Sequence, residues 1–124
     1  MRLRIKDKDI PALRERLSVE QGGLCKMCHV ALGGLIRACL DHDHRTGVVR
    51  DVLCLNCNSI EGKVFNLGRR GCRGGNPQEH IKAIIAYWER HALTPRLEIH
   101  PKHCTPDEKR LKRNAKARKR RAKK

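Results

Sequence analysis

"LDHDHRTGVVRDVLCLNCN", residues 40–58, is the stretch whose reading decides the fold. Asp41, His42, Asp43 and His44 stand side by side, and Cys54, Cys57 and Asn58 follow within fourteen residues of His44. Asp43–Gly47 ("DHRTG") has the composition of a turn, and the runs on either side, "LIRACLDH" and "VVRDVLC", are short, apolar and β-branched. That pattern predicts a hairpin with Asp41–His42 at the end of its first strand. A helix is predicted from Leu55 to Leu67, with Ile60 and Val64 four apart and Gly68 closing it.

Working outward, "CKMC" places Cys25 and Cys28 two residues apart, the same spacing as Cys54 and Cys57, with 25 residues between the pairs. Two such knuckles supply four thiolates for a tetrahedral Zn²⁺, a closed site that contributes to folding and leaves no position for a reacting water. The competing reading is that these are buried thiols. The chain needs a staple of some kind: it has 124 residues and only one Trp, one Tyr and one Phe. Seven cysteines is an odd number and no apolar leader precedes them, so a reducing compartment and a metal are expected rather than a disulfide framework. Cys39, Cys72 and Cys104 have no paired partner and are read as small buried or loop thiols.

The net charge is +16, distributed unevenly. Residues 109–124 carry eleven Lys/Arg and no acid, which leaves 18 basic and 13 acidic residues, or +5, in residues 1–108. A surface of this kind attracts polyanions, nucleic acid above all. Within the tail, Lys112, Arg113, Arg118, Lys119, Arg120 and Arg121 are candidate phosphate contacts, against the alternative of a solvated tail. Leu111 is the tail's only large apolar residue, so a membrane partner is not expected. No run reaches transmembrane length, and a soluble protein is expected. Three aromatics are too few for base stacking to be the main binding mode.

The remaining elements follow from local signals. "DIPALRERLSVEQGG" predicts a short helix, with Pro11 in its first turn and Gly22–Gly23 ending it. "GRRGCRGGNP" reads as a loop that either lays Arg69, Arg70 and Arg73 along a DNA backbone or serves as a flexible connection. Asn76 caps a helix over about 77–91, where Ile81, Ile84, Ile85 and Trp88 form one stripe. Residues 93–108 are irregular, and Thr105 caps a last basic helix or opens a disordered tail. The chain is thus divided into a domain over 1–92, a linker over 93–108 and a basic tail over 109–124.

Because four thiolates close a zinc site, any chemistry has to come from other residues. Asp41 and Asn58 offer hard oxygens suited to Mg²⁺ or Mn²⁺, and His42 is an imidazole able to take a proton from water. A strand end and a helix start that converge would make a one-metal hydrolytic site. The alternative is that Asp41 and His42 only hydrogen-bond across the turn.

"QGGLCKMC" together with "LDHDHRTGVVRDVLCLNCNSIEG" resembles the recombination endonuclease VII family of phage nucleases, within the HNH (ββα-metal) class. The likeness covers residues 21–62 closely and "EHIKAIIAYWERH" loosely. It implies structural zinc on Cys25, Cys28, Cys54 and Cys57, a catalytic divalent ion on Asp41 and Asn58, and His42 as general base. His44 would contact the phosphate, share the base role or hold the turn; Glu61, on the helix face of Asn58, would assist the ion or His44, or stand solvated. Asp51 departs from the family, which commonly has Gly there, and is a strained choice if that backbone needs positive φ.

The expected protein is therefore α+β: a zinc-stabilised ββα motif over about 35–67 with flanking helices and a basic C-terminal segment. The expected function is a Mg²⁺-dependent DNA endonuclease acting on four-way junctions or other branched or mismatched DNA, in phage recombination, repair or packaging in the host cytoplasm. Some members of the family dimerise through downstream helices, which makes the 77–91 helix a candidate homodimer contact. Rival readings are a nicking or homing-type HNH nuclease, and a non-catalytic zinc-stabilised DNA- or RNA-binding regulator.

Overall fold

The stretch 40–58 folds as a hairpin running directly into a helix. In the computed structural model, which describes residues 3–123, β1 (Ala38–His42) pairs antiparallel with β2 (Val49–Cys54). Asp43 builds the turn between them. Its Oδ1 accepts hydrogen bonds from the backbone N–H groups of Arg45 and Thr46, both at 2.8 Å, and Gly47 takes the left-handed φ of 70° that the return requires. Those two donors, Thr46 first, hold the Asp43 carboxyl below its ordinary range.

The ladder is not uniform. Leu40 pairs with Val52 and His42 with Val49, so two steps along β1 are matched by three along β2. The extra residue on β2 makes a bulge opposite Asp41, a device that bends a strand and re-aims side chains. Asp51 lies in this bulge. Its φ is not positive, as among the described non-glycine residues only His29 and Arg73 have left-handed φ. The strain that a positive φ would impose on Asp51 is therefore absent, and a β-region backbone accepts Asp there.

Beside the hairpin stand helix α1 (Ile10–Glu20), entered through the 3-10 turn Asp7–Asp9, and helix α2 (Leu55–Gly71). Gln21, at the end of α1, clamps β2 from its open edge. Its Nε2 donates to the Val52 carbonyl (2.6 Å) and its Oε1 accepts from the Val52 N–H (3.1 Å). The side-chain amide acts as one rung of a missing third strand, satisfying backbone groups that β1 cannot reach. Gly22 and Gly23, both with φ above 70°, then turn the chain into the first cysteine knuckle.

Helix α2 runs past its predicted end. Gly68 is a buried interior residue of α2, not its stop. A Cβ built there would lie 2.8 Å from Ile81 Cδ1 and 3.1 Å from the Pro77 carbonyl oxygen, and one on Gly71 would lie 2.7 Å from His80 Nε2. These glycines, one turn apart, let the start of helix α3 (Pro77–Leu93) approach the α2 backbone. The extension also places Arg69 and Arg70 in the last helical turn instead of a loop, where their charge suits the helix dipole. Arg73 remains in the connection, with φ 51°. Asn76 caps α3 through Oδ1, which accepts from the Gln78 N–H at 2.8 Å.

Tertiary contacts group the chain into two units, over residues 1–85 and 86–124. In the second, helix α4 (Pro106–Ala122) begins with a complete capping box: Thr105 Oγ1 accepts from the Glu108 N–H, and Glu108 Oε2 accepts from the Thr105 N–H. This pairing holds the Glu108 carboxyl below its usual range. The protein is thus α+β, with one two-stranded sheet and four α-helices among the described residues. No described helix is long and apolar enough to cross a membrane.

The Gly68 contact yields a stability prediction. Ala for Gly in a helix interior ordinarily gains about 0.5–1 kcal/mol, whereas overpacking costs about 1–3 kcal/mol. Gly68→Ala is expected to lower the melting temperature of the zinc-loaded protein by several degrees, measured by circular dichroism. A raised melting temperature would show that α3 does not depend on this close approach.

Candidate metal centre and active site

The interior of the first unit is built largely of cysteine. The buried apolar residues described are Cys25, Val52, Leu53, Cys54 and Cys57, with Leu32 packed against them. Cys25 enters from a tight reversal in which its N–H donates to the Val30 carbonyl and its own carbonyl accepts from the His29 N–H. His29 closes the reversal with φ 61°. Cys54 ends β2 and is also the N-cap of α2, with its Sγ accepting from the Cys57 N–H at 3.4 Å. One knuckle therefore sits on a turn and the other on a strand–helix junction.

The four Sγ atoms of Cys25, Cys28, Cys54 and Cys57 all lie within 4.8 Å of one another, and those of Cys28 and Cys54 are 3.9 Å apart. Zinc–sulfur bonds of about 2.3 Å in a tetrahedron require sulfurs about 3.8 Å apart, so the cluster fits a structural metal such as zinc. Electrostatics point the same way. Burial pushes the Cys25 thiol up, but the backbone N–H groups of Cys28, Cys54 and Met27 outweigh it and bring it down to about 6. Cys57 is pushed up to about 12, first by its hydrogen bond with Cys28 and then by burial. Four thiolates cannot share this volume unless a cation neutralises them.

A second cluster of polar groups gathers at the end of β1, around a cleft that Met27 and Leu53 also line. Asp41 is buried, and its carboxylate is gripped at both oxygens by Arg50: Nε to Oδ2 at 2.6 Å and Nη2 to Oδ1 at 2.9 Å. Arg50 Nη2 also reaches Glu61 Oε1 on α2 at 2.8 Å. The other carboxylate oxygen of Glu61 meets His44 Nε2 at 2.8 Å. The chain Asp41–Arg50–Glu61–His44 thus ties β1, β2, the turn and α2 together. The bond to Asp41, followed by that to Glu61, raises the Arg50 pKa above its ordinary value.

His44 is held from a further side. Its ring stacks on Phe65 with centroids 5.0 Å apart, and Gly62 leaves room beneath it, since a Cβ there would come within 3.4 Å of its Cε1. The His42 ring stands 5.6 Å from that of His44, and His42 itself is exposed. Asn58 is half-buried in the first turn of α2, directly after Cys57. Asp41 and Asn58 each carry an oxygen of the kind a hard divalent cation takes, and no described hydrogen bond joins Asn58 to the Asp41–Arg50–Glu61–His44 chain. The donor chemistry fits, and the Asp41 carboxylate already faces a positively charged group.

The structure brings Asp41, His44 and Glu61 into one network, with His42 beside it. Arg69, Arg70 and Arg73 are exposed on the last turn of α2 and the connection after it. Lys112, Arg113, Arg118, Lys119, Arg120 and Arg121 are exposed along α4, in the second unit. Lys112 donates to Cys104 Sγ at 2.8 Å, which raises its pKa. Sequence reasoning did not single out Arg50 or Phe65. A signal for Arg50 was available: with His42 paired to Val49, opposite charges at 41 and 50 are symmetric about the turn.

A hairpin and helix clamped around four cysteines within metal-binding distance, with an acid–histidine cluster at the strand end, define a small α+β protein. A profile of the recombination endonuclease VII family matches residues 2–90, and the chain belongs to that family. Two curated relatives also align, the Gene 59 proteins of Mycobacterium phages L5 and D29. Each is 53% identical over 38 residues, or 31% of this chain. That stretch spans only 23% of each relative's length.

The composition of the core sets a prediction. Zinc binding to such sites contributes about 10–16 kcal/mol of apparent free energy, as much as a small domain's whole stability. Cys54→Ala, which also removes the cap of α2, is expected to lose bound zinc and its cooperative melting transition. A zinc-free Cys54→Ala protein with a wild-type melting curve, checked by metal analysis and calorimetry, would contradict the structural role of the cluster.

Proposed function

We propose that this chain is a divalent-cation-dependent DNA endonuclease of the HNH type that hydrolyses phosphodiester bonds. The observation that carries this reading is a buried Asp41 beside an exposed His42, at a bulged strand end cross-tied to α2. A carboxylate removed from water is costly unless it is paired with positive charge. A protein that only bound nucleic acid would have no use for one in the interior next to an accessible imidazole.

His42, as general base, takes a proton from the attacking water and directs it at the phosphorus. Asp41 and Asn58 are the residues that would hold Mg²⁺ or Mn²⁺, which would supply charge to polarise the phosphate and stabilise the leaving oxygen. His44, braced by Glu61 and Phe65, positions the scissile phosphate. Nuclease chemistry is assigned to residues 1–92. The basic residues 109–124 and Arg69, Arg70 and Arg73 are assigned to the DNA backbone, which they hold through charge without reading sequence.

Membership of the endonuclease VII family favours branched DNA as substrate: four-way junctions, and duplexes distorted by loops or mismatches. The phage origin of the two relatives favours a role in phage DNA recombination, repair or packaging within the host cytoplasm.

Incubation with Mg²⁺ and four substrates tests the reading: a four-way junction, a looped heteroduplex, a supercoiled plasmid and a plain duplex. The junction and the heteroduplex are expected to be cut first. Equal cutting of plain duplex would leave a sequence-tolerant nicking enzyme. His42→Ala is expected to lower cleavage by at least about 10²-fold, the usual contribution of a general base, with junction binding retained. Full cleavage by folded His42→Ala protein would remove the base assignment.

The basic segment has its own test. Deleting residues 109–124 is expected to weaken binding to junction and duplex alike and to flatten the plot of log affinity against log salt. Each phosphate contact contributes a slope of about −0.9, so the loss of four or more would be plain. An unchanged slope would exclude the segment from the complex.

A further inference from the structure

The Asp41–Arg50 pair does more than neutralise a buried charge. Arg50 grips both oxygens of the carboxylate assigned above to the catalytic cation, and with the same Nη2 it reaches Glu61. A divalent ion and a two-toothed guanidinium cannot both occupy the inner lone pairs of one carboxylate. Arg50 is the solvent-facing partner of the pair, its side chain 36% exposed against 9% for Asp41. It borders an open cleft of about 290 Å³ lined also by Lys26, Asp51 and Glu61, which leaves the guanidinium room to turn. Three carboxylates and two cations line that cleft, so its formal charge is −1 with Arg50 and −2 without it.

We propose that Arg50 is a positioning residue that stands in for the divalent cation at Asp41. It keeps the buried carboxylate aimed and neutral in charge balance while no ion is bound, and it yields Asp41 when one arrives. Throughout, its second contact holds Glu61, and through Glu61 it keeps His44 in place. Arg50 and Asp51 are the two β2 residues that stand across from Asp41 at the bulge. The cost of the arrangement is cation affinity: every ion that binds has to displace a charge-assisted pair. The inference rests on the reading of Asp41 as a cation ligand.

The test is Mn²⁺ titration of zinc-loaded protein without DNA, with free Mn²⁺ counted by electron paramagnetic resonance. Wild type is compared with Arg50→Gln, Arg50→Lys and Asp41→Asn, with zinc content and melting temperature checked for each. Arg50→Gln is expected to bind Mn²⁺ roughly tenfold more tightly, the lower end for a charge-assisted pair because Arg50 is partly solvated. Arg50→Lys keeps the charge but loses the fork, and is expected to fall between the two. Should Arg50→Gln not fold, Arg50→Lys carries the test, with several-fold tighter binding expected. A residue with a merely structural role would leave affinity unchanged or lower it on removal.

Asp41→Asn is expected to weaken Mn²⁺ binding at least tenfold. If it does while the Arg50 variants bind no more tightly than wild type, the stand-in role is overturned and Asp41 remains the ligand. If Asp41→Asn binds Mn²⁺ like wild type, the assignment of Asp41 falls and the role of Arg50 falls with it.

Discussion

Four sulfurs in one small volume are the constraint on which the first unit of this protein depends. Three of the five buried apolar residues described are ligand-type cysteines, so the thiol cluster and the hydrophobic core are largely the same object. Val52 and Leu53 alone bury too little surface to offset the entropy of ordering a hairpin and the helices beside it. The cluster also fixes geometry. Cys54 is at once the last residue of β2, a ligand-type thiol and the cap of α2, so the strand-to-helix turn and the metal position cannot vary independently.

That rigidity reaches the polar cluster by short covalent paths. Asn58 follows Cys57 directly, Glu61 lies one turn further along α2, and Asp51 and Arg50 precede Cys54 on β2. The thiol cluster therefore helps set where the acidic and imidazole groups stand. The Asp41–Arg50–Glu61–His44 chain adds a second brace, made of charge instead of sulfur. A small chain with few aromatics thereby holds four polar side chains in register without a large core.

Elements with strong local signals were legible in the sequence. The turn at Asp43–Gly47, the capping of α3 by Asn76 and the capping box at Thr105–Glu108 all depend on residues close in sequence, and such interactions survive any change of tertiary context. The paired cysteine spacing was legible for the same reason, since each knuckle is a short local reversal, one on a turn and one at a strand–helix junction. The end of α2 was misjudged at Gly68, because glycine signals both a helix stop and a close helix contact. Ile81, thirteen residues away, selects the second meaning. Likewise the strain expected at Asp51 was conditional on a positive φ in place of the family's usual Gly, and in the bulged strand the backbone there is not of that kind.

What the sequence determined by itself is the inventory: four thiolates at knuckle spacing, an Asp–His pair at a strand end, an Asn after the last Cys and a basic C-terminal segment. These follow from residue identity and short separations. What only the tertiary structure decided is which groups meet. The grip of Arg50 on Asp41, the bond of Glu61 to His44 and the stacking of His44 on Phe65 join residues 9, 17 and 21 positions apart. The last two depend on how α2 packs against the hairpin, which is not written in any local pattern.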